Sequence, residues 1–319
     1  MPRYRHALPQ LGTHPFLTDG GIETTLIFHE GQELPYFAAF DLLRTEEGTE
    51  VLRRYFRTYA DLARSLGTGV VLESATWRAS PDWGERMGYT ADELAQANRR
   101  AIRLLESIRD DAGADTPVVI SGCVGPRGDG YIPDQSMTAQ QAADYHRAQI
   151  DVFAGTEADM VCAITMNYVE EAEGVARAAR DAAMPVALSF TVETDGRLPT
   201  GDSLRSAIER VDQSTSGYPA YYMINCAHPT HFADVLESGE GWLGRIRGLR
   251  TNASCLSHAE LNEATELDMG NPEELAREHV HLKRRMPALT VLGGCCGTDD
   301  RHVAAIVKAC LPLFGAHRH

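Results

Sequence analysis

The sequence predicts an α/β chain folded as a single (β/α)₈ barrel. Two observations carry that expectation. Short apolar runs alternate with longer amphipathic segments eight times along 319 residues, and no Pro/Ser-rich linker, low-complexity block or charge run interrupts the alternation. Doubly wound sheets have fewer such units, and barrels reach this length as one domain. One domain is therefore expected over residues 1–319.

The units follow in order. "FLTD" (16–19) precedes "EVLRRYFRTYADLARSLG", whose apolar residues recur at helical spacing, and "GVVLES" (69–74) precedes a Thr-capped amphipathic segment, "TADELAQANRRAIRLLESIRDDAG". "PVVISG" (117–122) precedes "TAQQAADYHRAQIDVFAG", and "ADMVCAIT" (158–165) precedes "YVEEAEGVARAARDA". "PVALSF" (185–190) leads to "DSLRSAIERVD", and "YYMINC" (221–226) to "PTHFADVLES". "IRGLRTNA" (246–253) leads to "NPEELAREHVHLKRR", and "LTVLGGCC" (289–296) to "DDRHVAAIVKACLPLF". Two connections exceed what a barrel needs: 20–47 after the first strand and 123–137 after the third. Both follow the C-terminal ends of strands, where barrel enzymes keep their active sites, and long loops there shape a pocket.

Composition narrows the function. A net charge of −15 argues against nucleic acid and anionic membranes as partners, since both need a basic face. No apolar run approaches the ~20 residues of a membrane helix. The N-terminal "MPRYRHALPQLGTHPF" has no hydrophobic stretch behind its basic residues, so a cytoplasmic location is expected. In that compartment seven cysteines are read as reduced, metal-bound or catalytic.

The chemistry-bearing stretch is "GGCCGT" (293–298), two adjacent thiols between glycines at the end of the eighth strand. Cys226, in "INCAHP", sits at the same end of the sixth. Cys226, Cys295 and Cys296 then share one rim, and three thiolates with a fourth position open make a catalytic zinc site. The flanking glycines let two consecutive residues both turn inward, which a regular strand forbids. A strained vicinal disulfide is the alternative reading of the pair. Cys123, Cys162, Cys255 and Cys310 read as small buried hydrophobes.

Taken together, "NC" (225–226) and "GGCCGT" resemble the signature of the homocysteine S-methyltransferase family, zinc enzymes that move a methyl group to a thiol. "TDGG" (18–21), "GCVGPRGD" (122–129), "PVALSFTVETDGRLPTGDSL" (185–204) and "RTNAS" (250–254) are similar to further family motifs, so the resemblance covers nearly the whole chain. It implies a barrel, Zn²⁺ on Cys226, Cys295 and Cys296, and a thiol acceptor and small methyl donor as partners. It also implies an acceptor-binding segment at Asp19, Gly20 and Gly21, Asn225 and Asn252 as polar residues near the metal, and a substrate-binding Thr at the end of strand four, kept here as Thr165. His228 reads as a loop residue, because three cysteines already fill the protein's share of the metal.

The sequence departs from the family at one informative place. Members that bind homocysteine end strand four with a Glu that pairs with the substrate amino group; here Ile164 stands there. A carboxylate appears instead at the end of strand two, Glu73 in "LESATW", and Glu73 or Glu23 is expected to take over cation recognition. A Glu73–Arg78 pair is the competing expectation. Trp77 would offer its ring to an onium donor, a cation–π attraction of roughly 0.5–2 kcal/mol, or pack as core. Arg78 and Arg127 would clamp a carboxylate or lie at the surface.

Cobalamin- and folate-dependent relatives carry modules after the barrel, whereas this sequence stops after the eighth unit. That favours a small onium donor such as S-methylmethionine, S-adenosylmethionine or a betaine, with a corrinoid protein in trans as the alternative. The leading expectation is methyl transfer to homocysteine, giving methionine. Its rivals keep the metal but use another thiol or selenol, demethylate an onium compound, or serve as a non-catalytic zinc-binding barrel. Barrels often form homo-oligomers, and no interface signature is visible.

Overall fold

The computed structural model describes residues 1–133, 136–236 and 241–315. Eight parallel strands close into a barrel in sequence order: β1 (Phe16–Leu17), β2 (Gly69–Glu73), β3 (Val118–Val124), β4 (Met160–Met166), β5 (Val186–Phe190), β6 (Tyr221–Asn225), β7 (Ile246–Thr251) and β8 (Val291–Gly294). Closure comes from β1 on β8, with Phe16 opposite Val291 and Leu17 opposite Leu292. The outer helices are α1 (Glu46–Leu66), α2 (Ala91–Asp111), α3 (Ala139–Ala154), α4 (Val169–Asp181), α5 (Leu204–Thr215), α6 (Pro229–Phe232), α7 (Pro272–Arg285) and α8 (Asp300–Cys310). The helix starts are sequence-encoded: Thr90 and Thr138 each accept a backbone N–H while Glu93 and Gln141 reach back to close capping boxes.

Strand alternation divides the apolar residues between two cores. Phe16, Val71, Val119, Met160, Cys162, Tyr221, Met223 and Val291 fill the barrel interior. Leu72, Ile120, Val161, Leu188, Ile224, Leu249 and Leu292 face the helices. The N-terminal segment seals the floor: Leu8 joins the interior cluster, Tyr4 and Leu11 pack against it, and Arg5 donates to the carbonyls of Ala154, Thr156 and Ala158. Asp159 locks this floor. It is fully buried, and its two oxygens accept from the Tyr4 and Ile120 amides and from Arg109.

The two long connections predicted after β1 and β3 are present, except that residues 134 and 135 lie outside the described residues. Two others rise from the same end of the barrel: 74–90 after β2, with a helix at Pro81–Arg86, and 252–271 after β7, with a helix at His258–Glu263. The helix expected over 229–238 is corrected to the single turn α6 followed by a 3₁₀ turn at Ala233–Val235; residues 237 and 238 lie outside the described residues. Phe232 and Leu236, on either side of that 3₁₀ turn, are both buried. Among the described residues no helix is long and apolar enough to cross a membrane.

Candidate functional site

The strand alternation explains how three sulfurs meet. In β8, Val291 faces the interior, so Gly293 and Cys295 follow inward by period two. Gly297 then takes a left-handed φ of 77°, and the turn brings Cys296 to the same side. In β6, Tyr221 and Met223 face inward and Asn225 continues that face, so Cys226 by alternation belongs outside. A φ of 53° at Cys226 rotates it back over the mouth. Thr165, one residue beyond inward-facing Ile164 in β4, is turned the same way with φ 67°.

The result is a cluster in which the sulfurs of Cys226, Cys295 and Cys296 lie within 4.8 Å of one another. A tetrahedral zinc with Zn–S bonds of about 2.3 Å needs sulfurs about 3.8 Å apart, so the donor set fits that ion with adjustments of up to about 1 Å. Hydrogen bonds from Cys295 and Cys296 draw the Cys226 thiol well below the ordinary thiol range, against the opposing effect of burial. The same bonds push Cys295 and Cys296 upward. The cluster thus already favours negative charge on one sulfur.

Side chains around the cluster fix its geometry. The Asn225 amide donates to Cys226 Sγ at 3.1 Å and to Thr165 Oγ1 at 2.9 Å, while its Oδ1 accepts from the Thr165 amide at 3.0 Å and Ser189 Oγ at 2.6 Å. One buried amide therefore pins both left-handed residues. Tyr131 Oη lies 3.8 Å from Cys296 Sγ, and its ring stacks on His258 at 4.1 Å. His258 Nε2 is 2.6 Å from the Cys226 carbonyl, with Nδ1 3.2 Å from Glu193.

The sulfurs open into a cavity of about 380 Å³ at the C-terminal face of the barrel. Asp19, Gly20, Gly21, Glu73, Trp77 and Thr165 line it as the sequence suggested, and so does Ile164. Gly20 and Gly21 also serve packing: a Cβ would sit 2.7 Å from the Thr298 carbonyl at Gly20 and 2.6 Å from the Cys295 carbonyl at Gly21. Asp19 forms an ion pair with Arg250 at 2.6 Å and accepts from Tyr55 at 3.0 Å. Burial raises its pKa and Arg250 opposes that rise. Asn225 and Asn252 stand behind the cavity wall, the Asn252 backbone N–H donating to the Ala227 carbonyl at 3.1 Å. His228 caps α6 and is turned to Thr230.

Several expectations change. Among the described residues no ion pair joins Glu73 to Arg78. Arg78 instead lies between the Trp77 and Trp83 rings, 3.9 and 3.8 Å from their centroids, and donates to the Gly128 carbonyl. Burial there lowers its pKa to about 10. One face of Trp77 is thus taken by Arg78, while its indole N–H reaches the Ile164 carbonyl at 3.3 Å. Arg127 is outside the cavity, paired with Asp82 at 2.7 Å. Cys123, Cys162 and Cys310 are buried as expected, but Cys255 is exposed because it sits on the excursion after β7 rather than in a strand. Sequence reasoning missed Arg250, Tyr131 and His258. Arg250 had a signal, a charged residue at a strand end inside "RTNAS"; Tyr131 lies in a loop, and His258 opens the short helix of the excursion after β7.

The family model described as homocysteine S-methyltransferase matches residues 16–310. A curated relative, homocysteine S-methyltransferase 4 of Zea mays, is 24% identical, with 92% of this chain and 88% of the relative covered. Selenocysteine Se-methyltransferase of Brassica oleracea var. italica is 22% identical over the same shares, 92% and 88%. Among solved structures, the metallated form of the homocysteine methyltransferase MmuM from Escherichia coli superposes with a TM-score of 0.70 at 19% identity, covering 94% of this chain and 98% of that one. With the family model spanning all eight strands of the barrel, this chain belongs to the homocysteine S-methyltransferase family.

Proposed function

We propose that the chain binds Zn²⁺ through Cys226, Cys295 and Cys296 and transfers a methyl group from a small onium donor to homocysteine, giving methionine. The observation that carries this reading is the convergence of three sulfurs from two distant segments on one cavity. Bound zinc supplies an ionised, nucleophilic acceptor sulfur at neutral pH, where a free alkyl thiol is only a few per cent ionised. The new S–CH₃ bond forms as the donor's onium–CH₃ bond breaks, the bonding pair leaving with the neutral donor product, and the acceptor's thiol proton passes to solvent.

The chain's own residues hold this arrangement. Asn225 and Tyr131 fix the sulfurs from two sides. Ile164 and Trp77 keep the cavity wall largely apolar near the reacting atoms, which limits competing water. Carboxylates outnumber guanidiniums on the lining, with Asp129, Glu266 and Asp268 among them, and so favour a cationic donor over an anionic one.

Asn225→Ala removes the hydrogen bond to Cys226 and both restraints on Thr165. Loss of such support costs about 10–100-fold in metal affinity, and a competitive chelator titration of the variant is expected to read a drop of that size.

The reading is tested by incubating zinc-loaded protein with S-methylmethionine, S-adenosylmethionine or glycine betaine, each against homocysteine and selenocysteine, with products identified by mass spectrometry. Methionine from homocysteine and one onium donor is expected, with loss of product after chelation. No methylated product from any pair defeats the proposal. Product from selenocysteine alone moves the acceptor to a selenol, the reading that apolar Ile164 keeps open.

A further inference from the structure

The floor of the cavity holds a buried carboxylate with nothing to do. Glu73 is 4% exposed, and neither of its oxygens accepts a hydrogen bond of good geometry among the described residues; only the Ser121 hydroxyl and the Cys162 thiol, both weak partners here, come near it. Leaving a buried carboxylate unpaired costs several kcal/mol unless it is protonated or a ligand supplies the partner. Burial raises its pKa to about 7, with Arg250 opposing and Asp19 reinforcing the rise.

The charges nearby do not answer it. Arg250 is already committed to Asp19 at 2.6 Å, so that pair is close to neutral. Glu23, half-buried on the loop after β1, is likewise raised to about 7 by burial. Arg78 is held between two indole rings and faces Asp129. With Asp19 and Arg250 cancelled, Glu73 and Glu23 leave this part of the cavity with uncompensated acid. A cation fits there.

Which cation follows from depth. Glu73 ends β2 on the inward face shared with Val71, and Cys123 and Cys162 of the barrel interior are its electrostatic neighbours. The mouth, by contrast, carries exposed Phe28 and Phe37. A donor must present its methyl group to the acceptor sulfur from the open side. Glu73 lines the same cavity as Cys226, Cys295 and Cys296, so an acceptor whose sulfur sits at the cluster can turn its head group toward Glu73.

Resting on the function proposed above, we infer that Glu73 is the specificity residue that receives the ammonium group of an amino-acid thiol. The β2 carboxylate thereby supplies a recognition that apolar Ile164 on β4 cannot. Such a charge-assisted pair is worth about ten- to a hundred-fold in affinity over a ligand lacking the ammonium.

The experiment is calorimetric titration of zinc-loaded protein, without donor, by homocysteine and by 4-sulfanylbutanoate, which has the same thiol and carboxylate but no amino group. The wild type is expected to prefer homocysteine at least about ten-fold. Glu73→Gln, close in shape, is expected to abolish that preference while leaving affinity for 4-sulfanylbutanoate and for S-methylmethionine within about two-fold, a pattern that loss of structure would not produce. Glu73→Asp, which keeps the charge, is expected to retain part of the preference. Equal binding of the two thiols by the wild type, an unchanged preference in Glu73→Gln, or weakening confined to the donor each overturns the inference. Because binding is read without turnover, a preference that depends on Glu73 in a protein that makes no methionine would sink the methyl-transfer reading alone. Methionine formation with a preference indifferent to Glu73 would sink this one alone.

Discussion

Cys226→Ser is expected to strip the metal and to lower methyl transfer by at least about a thousand-fold, the larger part of it lost alignment. The magnitude divides in two. An alkyl thiol is a few per cent ionised at pH 7, so lost deprotonation accounts for about 30-fold. The acceptor sulfur also loses its anchor opposite the donor, and fixed geometry contributes at least about another hundred-fold. Serine preserves the volume but offers a hydroxyl that does not ionise near neutrality. Cys310→Ser in α8, equally buried but remote from the cluster, is the matched control and should retain both metal and rate. Elemental analysis of the purified variants and the methionine assay check both halves. A Cys226→Ser protein with stoichiometric zinc and a rate within ten-fold of wild type would remove the centre from the mechanism.

Asp159→Ala is expected to be the most damaging single change to stability, about 3–5 kcal/mol, with little effect on the chemistry of molecules that remain folded. Its carboxylate is fully buried at the barrel floor, accepting from the Tyr4 amide at 2.7 Å, the Ile120 amide at 2.9 Å and Arg109 at 3.2 Å. Truncation strands a buried guanidinium and two backbone amides together. Glu157 lies 3.8 Å from Arg109 but is part-exposed and cannot reach the amides, so compensation is partial. The urea midpoint is the measure, with the slope expected to stay constant. A shift equivalent to less than about 1 kcal/mol would show that the floor relaxes around the gap.

The barrel was legible because each strand is an apolar run too short for a helix, bounded by helices with their own caps. The convergence of the cysteines followed from strand order alone, since residues at the C-terminal ends of strands six and eight of a closed sheet face one mouth. What made the convergence work was not legible. Nothing in "YYMINC" says that Cys226 leaves the alternation; that depends on Asn225 gripping Thr165, sixty residues away. Arg250 was visible as a residue but not as a partner, because Asp19 lies 231 residues upstream and meets it only when β1 and β8 close the ring. His258 was hidden in "CLSHAELNEATELDMG", a stretch too polar and too weakly periodic to be separated from the seventh unit. The Glu73–Arg78 alternative failed for a similar reason: the chain turns after β2, and two indole rings claim the guanidinium.

The left-handed twists at Cys226 and Thr165 carry a wider consequence. Each holds a side-chain-bearing residue where the backbone resists by about 1–3 kcal/mol. The mouth is in that sense a cocked spring, kept under tension by the stiffness of the staves beneath it. Loosening that tension is expected to release Cys226, so metal should be lost at a lower urea concentration than that of global unfolding.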